Sequence, residues 1–178
     1  MQLKETNKIL NTFGKYVVQQ ARTILSKNKN KKGKGFTRNN TKGLYNSLAY
    51  FIDETRLGSR IYFEMEDYGM FQDRGVSGTE RKYNTPFSYT NKMPPIDALS
   101  KWAKFNNIRL RDEKGKFKKG NYRTIGYLIA RSIKKKGIKP SLFFTKPFEK
   151  SFVNLPKELQ NTFAIDLDNF LTINQDRI

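Results

Sequence analysis

The stretch from Gly126 to Phe148, GYLIARSIKKKGIKPSLFFTKPF, constrains the fold more than any other part of the chain. Ile125, Leu128, Ile129 and Ile133 recur at helical spacing, and the last turn holds Lys134, Lys135 and Lys136 before Gly137, a cationic C-terminus closed by a glycine stop. From Ile138 onward the chain carries Pro140, Pro147 and three phenylalanines, Phe143, Phe144 and Phe148. A rigid apolar connector therefore leaves the helix and returns against an apolar surface. The segment is a structural module with no catalytic signature.

The rest of the chain must supply that surface. With 178 residues, 37% hydrophobic but including 14 Phe and 9 Tyr, it can fill one domain, expected over 1–172 with a frayed tail at 173–178. It has no cysteine, so disulfides and thiolate metal sites are excluded. No apolar run approaches the roughly 20 residues that span a bilayer, and MQLKETNKILNTFGKY lacks a signal-peptide core, so a soluble protein made in a cytosol is expected.

Periodicity divides the chain into elements. Leu10, Phe13, Val17, Ala21 and Ile24 form one stripe of a long helix over 3–26. The Lys/Asn/Gly-rich run that follows, 27–43, has too little apolar surface to offset its ordering entropy and predicts a flexible basic loop. From Leu44 the period shifts toward two, suiting a strand that begins as helix. Arg60 to Asp67 alternates cleanly, with Ile61, Phe63 and Met65 on one face and Tyr62, Glu64 and Glu66 on the other. Turns are expected around Phe71, and an exposed loop from Thr79 to Lys92. Pro94-Pro95 opens a helix carrying Ile96, Leu99, Trp102 and Ala103 on one face. Residues 108–119 read as a basic hairpin in which Ile108 and Leu110 face Phe117. A short turn is expected from Pro147 through Phe152, then a last helix from Pro156 with Leu159, Phe163, Leu167, Phe170 and Leu171 inward.

The formal charge of +19 implies a polyanionic neighbour or a partner surface of opposite sign, and the charges are segregated. Lys27, Lys29, Lys31, Lys32, Lys34, Arg38 and Lys42 stand in one run without an acid. Residues 101–150 hold 16 bases and 3 acids, whereas 53–80 hold seven acids and three bases. Opposed regions suit head-to-tail assembly of copies as well as nucleic acid. The 27–42 run is the best candidate for DNA contact, and the alternative is a clasp on an acidic protein.

The absence of histidine removes Ser-His and Cys-His nucleophile pairs and the commonest metal ligand. What remains is carboxylate chemistry. Glu80-Arg81-Lys82, with Asp67 or Asp73 upstream, has the acid–spacer–lysine form of magnesium-dependent nucleases, but it falls in a segment read as loop, where ligands would be poorly placed. Glu64 and Glu66 could likewise hold Mg²⁺, although paired carboxylates on an outer strand face are commonly solvated. Neither is taken as a catalytic or metal site. A plain RNA- or DNA-backbone clamp, using the basic loop and the 109–119 hairpin, is the alternative in a different class.

Taken in order, the long N-terminal helix, Gly43-Leu44-Tyr45-Asn46-Ser47-Leu48, the turn Tyr68-Gly69-Met70-Phe71 with Asp73-Arg74-Gly75, and the closing Gly137 to Phe144 element resemble the neck and tail-completion proteins of tailed bacteriophages. The resemblance implies an α+β fold, a small curved antiparallel sheet packed against the long N-terminal helix, with further helices in the C-terminal half. It implies a non-enzymatic structural protein of the virion, without cofactor, at the head-to-tail joint. There it forms a closed ring of copies of itself, joins portal or adjacent neck proteins to tail proteins, and surrounds the double-stranded DNA path, with no membrane partner. Within such a ring Glu64 and Glu66 are expected to meet Lys134, Lys135 and Lys136 of the adjacent copy, and Phe143 and Phe144 to dock the connector on a neighbour or on the body. The lysine-rich loop and Asp73, where the family often has Glu, depart from the family's pattern.

Overall fold

The computed structural model describes residues 3–27, 42–55 and 58–175, which fall into two compact units. One comprises the described residues of Met1–Gly69 and Leu142–Ile178, the other Met70–Ser141. The fold is α+β, with a long N-terminal helix, a small antiparallel sheet and helices through the C-terminal half.

In the first unit, α1 (Lys4–Lys27) buries Leu10, Phe13, Val17 and Ala21 of the expected stripe together with Gly14, Val18 and Leu25, while Ile24 is half-buried. A short helix, α2 (Gly43–Ser47), leads into β1 (Ala49–Thr55), which pairs antiparallel with β2 (Gly58–Glu64) in the register Phe51↔Tyr62 and Asp53↔Arg60. The helix-then-strand reading of 44–52 holds, and β2 ends at Glu64, short of the expected Asp67. Arg22 of α1 donates to the carbonyls of Tyr45 (3.1 Å) and Leu48 (2.8 Å), supplying partners that the end of a short helix lacks.

The inward strand face packs on α1. Gly14 admits the Tyr50 ring, because a Cβ there would overlap it, and Phe63 meets Phe13 edge to face at 6.0 Å. The Pro/Phe connector then completes this core. Phe143 is fully buried among Val18, Ala21, Leu25, Leu44 and Leu48, while Phe144 and Phe148 pack edge to face on Phe63 at 5.3 and 5.9 Å.

The remaining helices of this unit correct two expectations. Residues around Pro147 form a helix, α6 (Thr145–Phe152), since proline at its third position lies in the first turn, where the backbone N–H needs no helical partner. The last helix, α7 (Leu155–Gln175), turns inward Leu155, Leu159 and Asp166, whereas Phe163, Leu167 and Phe170 are 49, 39 and 42% exposed. Asp166 sets this rotation. Its carboxylate accepts from the backbone N–H groups of Glu5 (3.1 Å) and Thr6 (3.0 Å) and from the Thr6 hydroxyl (2.8 Å), capping α1 from another helix. The helix runs to Gln175, and 176–178 lie outside the described residues.

The chain enters the second unit within α3 (Gly69–Arg74), where only turns were expected, and that unit contains α4 (Ile96–Phe105), as read from Pro94-Pro95. β3 (Leu110–Arg111) and β4 (Phe117–Lys118) form the basic hairpin, and α5 (Tyr122–Lys136) follows, its N-cap Asn121 accepting from the Thr124 N–H at 2.8 Å. Two side-chain placements differ from expectation. Arg111, not Ile108 or Leu110, stands opposite Phe117, because the Asp112–Lys116 turn, with Gly115 at φ 79°, fixes the register one residue away. On α5 the buried face is Ile125, Gly126 and Ala130, and Leu128 is 45% exposed. Gly126 explains the shift: a Cβ there would strike Ser100 and the Ile96 carbonyl, so α4 lies directly against the α5 backbone at the glycine.

Candidate assembly and polyanion-binding surfaces

The sheet of the first unit is two-stranded, β1 with β2, so each strand has an edge with no further strand among the described residues. Its inner face lies on α1. On the outer face, the cross-strand pair Phe51 and Tyr62 is 51 and 45% exposed, flanked by the exposed charges Asp53, Arg60 and Glu64. Open strand edges template further pairing, and an isolated two-stranded sheet is only marginally stable without a packed face.

Glu64 ends the outer face, but Glu66 lies past the strand, with its N–H donated to the Ser47 hydroxyl at 3.1 Å. In the second unit, Lys135 is already engaged: its Nζ lies 2.6 Å from the Glu80 carboxylate. The Lys134 Nζ donates to the Asn91 carbonyl at 3.3 Å, and Lys136 is exposed. Of the expected docking phenylalanines, Phe143 is 0% exposed within its own core, so the connector docks on its own body there, and Phe144 is half-buried in the same aromatic cluster. Lys27 and Lys42 are exposed, whereas Lys29, Lys31, Lys32, Lys34 and Arg38 lie outside the described residues.

The sequence around Gly75 to Lys82 forms a backbone clasp. Val76 and Ile138 exchange N–H···O bonds at 2.9 and 2.8 Å, and the N–H groups of Thr79 and Glu80 donate to the carbonyls of Lys134 and Lys135, both at 2.9 Å. Carbonyls that the last turn of α5 leaves open are thereby satisfied. The clasp demands glycine: Gly75 and Gly137 have φ of 75 and 71°, and a Cβ at Gly137 would fall on the Val76 carbonyl oxygen. Glu80 is thus tied to the end of a helix, and no group of three or more Asp or Glu side chains is arranged to hold a metal ion among the described residues.

The third surface is the β3–β4 finger, whose residues Arg111 to Asn121 are all exposed. The Arg111 guanidinium sits 4.4 Å from the Phe117 ring centroid and that of Arg109 5.7 Å, with Phe117 itself 63% exposed. An open groove of about 380 Å³ at its base is lined by Arg109, Lys118, Lys119 and Tyr122, among others. The signal for this arrangement was present as a run of bases around one aromatic, but the pairing of Phe117 with arginine required the register.

Charge follows the division into units. Residues 70–141 carry 18 bases and five acids, while the first unit, apart from 27–42, is nearly balanced with ten bases and eleven acids. No helix of the described residues is long and apolar enough to cross a membrane. Comparison with known proteins gave no match: no family model, curated protein or solved structure is significantly similar to this chain.

Proposed function

We propose that the protein is a structural subunit of the head-to-tail joint of a tailed bacteriophage, a neck or tail-completion protein. In this reading copies close into a ring that joins the portal side to the tail and surrounds the DNA path. The observation that carries it is the unfinished β1–β2 sheet: one face rests on α1, neither strand has a second strand partner among the described residues, and the Phe51–Tyr62 pair is exposed. Edge-to-edge addition of a neighbour's hairpin would complete the backbone pairing and set the neighbour's outward side chains beside the aromatic pair, and head-to-tail repetition of one such contact closes a ring when its rotation divides a full turn. Outside the 27–42 run the first unit is nearly balanced in charge, which permits that approach. The glycine clasp and the buried Phe143 serve the same end by fixing the connector within one chain rather than between chains.

The test is the oligomeric state of the full-length protein by mass photometry and native mass spectrometry, with detection of the protein in purified particles. A closed oligomer is expected, and Phe51→Lys with Tyr62→Lys should return it to monomer while preserving the helical circular dichroism. A chain that stays monomeric at high concentration and is missing from particles would end the proposal. A monomer that binds DNA in a salt-labile manner would instead favour the backbone-clamp reading, which the basic finger supports.

A further inference from the structure

We propose that the β3–β4 finger is a clamp for the phosphodiester backbone of duplex DNA, with Arg109 and Arg111 as its principal contacts. The choice of duplex DNA rests on the reading above, whereas the phosphate chemistry rests on the finger itself.

Six cations, Arg109, Arg111, Lys114, Lys116, Lys118 and Lys119, surround one hairpin, and none of them is in an ion pair among the described residues. The two acids of the turn offset them only in part: Asp112, which also accepts from the Lys116 N–H at 2.7 Å, and the exposed Glu113 set −2 against +6 and leave the hairpin at +4. Such a concentration of unpaired positive charge on a narrow projection carries a self-repulsion that a polyanion relieves.

Phe117 bears on how the finger grips. Two guanidinium groups stand over its ring and are held in place by cation–π attraction, while 63% of the residue stays exposed beside them. Stacking of a base on that exposed surface would show as a strong preference for single strands. Each arginine keeps most of its five donors: one Arg111 nitrogen donates to the Gly115 carbonyl at 2.9 Å, and Arg109 Nε to the Asn107 side chain at 3.4 Å. Planar, pre-positioned guanidinium groups with free donors match phosphate oxygens bidentately, and they carry no base information. Lys118 and Lys119, lining the groove at the base of the finger, extend the positive surface toward Tyr122. The clamp is therefore independent of sequence, as a contact along a moving genome must be.

The full-length protein is titrated onto a fluorescent DNA duplex across a salt series and followed by anisotropy. Arg109→Gln with Arg111→Gln should weaken binding roughly tenfold at about 0.1 M salt and reduce the slope of log K against log salt by about 2. The charge-matched control Lys15→Gln with Lys146→Gln, on exposed helix positions of the first unit, should change binding far less. Phe117→Ala should weaken binding with the slope unchanged, because the charges remain and only their positioning is lost. Single-stranded DNA of equal length should bind comparably, and polyglutamate should compete poorly. Equal losses in the finger variant and the control would mean diffuse attraction and overturn the proposal, as would strong preference for single strands or efficient displacement by polyglutamate. Mass photometry of the same variants separates the two readings: a finger variant that assembles but binds weakly leaves the ring intact, and a monomer that binds through the finger leaves the clamp intact.

Discussion

Asp166 is the position at which one atom group should matter most for its size. Removing its carboxylate leaves the N–H groups of Glu5 and Thr6 and the Thr6 hydroxyl without the acceptors they now have at 3.1, 3.0 and 2.8 Å. Loss of an N-cap costs about 0.5–2 kcal/mol, and loss of a negative charge at a helix N-terminus a further 0.3–1 kcal/mol. These contributions overlap, so Asp166→Ala should lower unfolding free energy by about 2 kcal/mol at neutral pH, and Asp166→Asn, which keeps one acceptor oxygen, by about 1 kcal/mol.

The same contact predicts a pH signature. Burial works to raise the carboxyl's pKa, but the hydrogen bonds from the Thr6 and Glu5 backbone and the Thr6 hydroxyl outweigh it, and the pKa falls below its ordinary value of 3.8. A group with a depressed native pKa adds stability that is fully present above the unfolded pKa and fades as pH drops through the native one. Urea denaturation of wild type and Asp166→Asn from pH 7 down to 3 should therefore show a gap that is constant to about pH 5 and narrows below 4. Thr6→Val should share part of the loss, giving a coupling energy of about 1 kcal/mol in a double-mutant cycle. A gap that persists unchanged in acid, or a Thr6–Asp166 coupling of zero, would refute the cap.

Gly137→Ala should destabilise by about 3 kcal/mol or more, because a side chain is strained at φ 71° and its Cβ would also displace the Val76 carbonyl; thermal unfolding reads this directly. Phe143→Ala should cost about 3–5 kcal/mol in chemical denaturation, while Phe143→Leu should cost less than about 1.5 kcal/mol. An alanine variant of full stability that fails only to assemble would return Phe143 to the interface between copies.

The sequence displayed those elements whose signal is local. The stripe Leu10, Phe13, Val17, Ala21 repeats at helical spacing over 24 residues of α1, and Ile61-Tyr62-Phe63 alternates as a half-covered strand must. It hid whatever depends on distant partners. Two adjacent faces of α7 are apolar enough to go inward, and the choice falls to Asp166, whose partners at Glu5 and Thr6 lie some 160 residues away. The cross-strand neighbour of Phe117 has no local signal, because a one-residue change of register exchanges faces and the turn that sets it has no apolar pattern. The short α3 has no sequence signature, since GMFQDR is too brief to show a period. In the candidate surfaces, the exposed Tyr62 and Glu64 are visible from alternation, whereas the exposed Lys135–Glu80 pair exists only because the clasp brings residue 80 to the end of α5.

The two proposals call for salt effects of opposite sign, and this offers the sharpest joint test. Each copy carries +19, so a ring gathers like charge, and that repulsion opposes closure unless ions or a polyanion screen it. Raising ionic strength from roughly 0.05 to 0.5 M shortens the Debye length from about 14 to 4 Å and relieves the repulsion, while strand pairing and aromatic burial are little weakened. Over the same range, DNA bound through phosphate contacts is released, since the counterions that binding set free are no longer scarce. The fraction of closed oligomer should therefore rise with salt as bound DNA falls. If instead both fall together, the copies are held by exposed ion pairs such as those expected of Glu64 and Glu66 with Lys134 and Lys136, and the β1–β2 edge is not the joint.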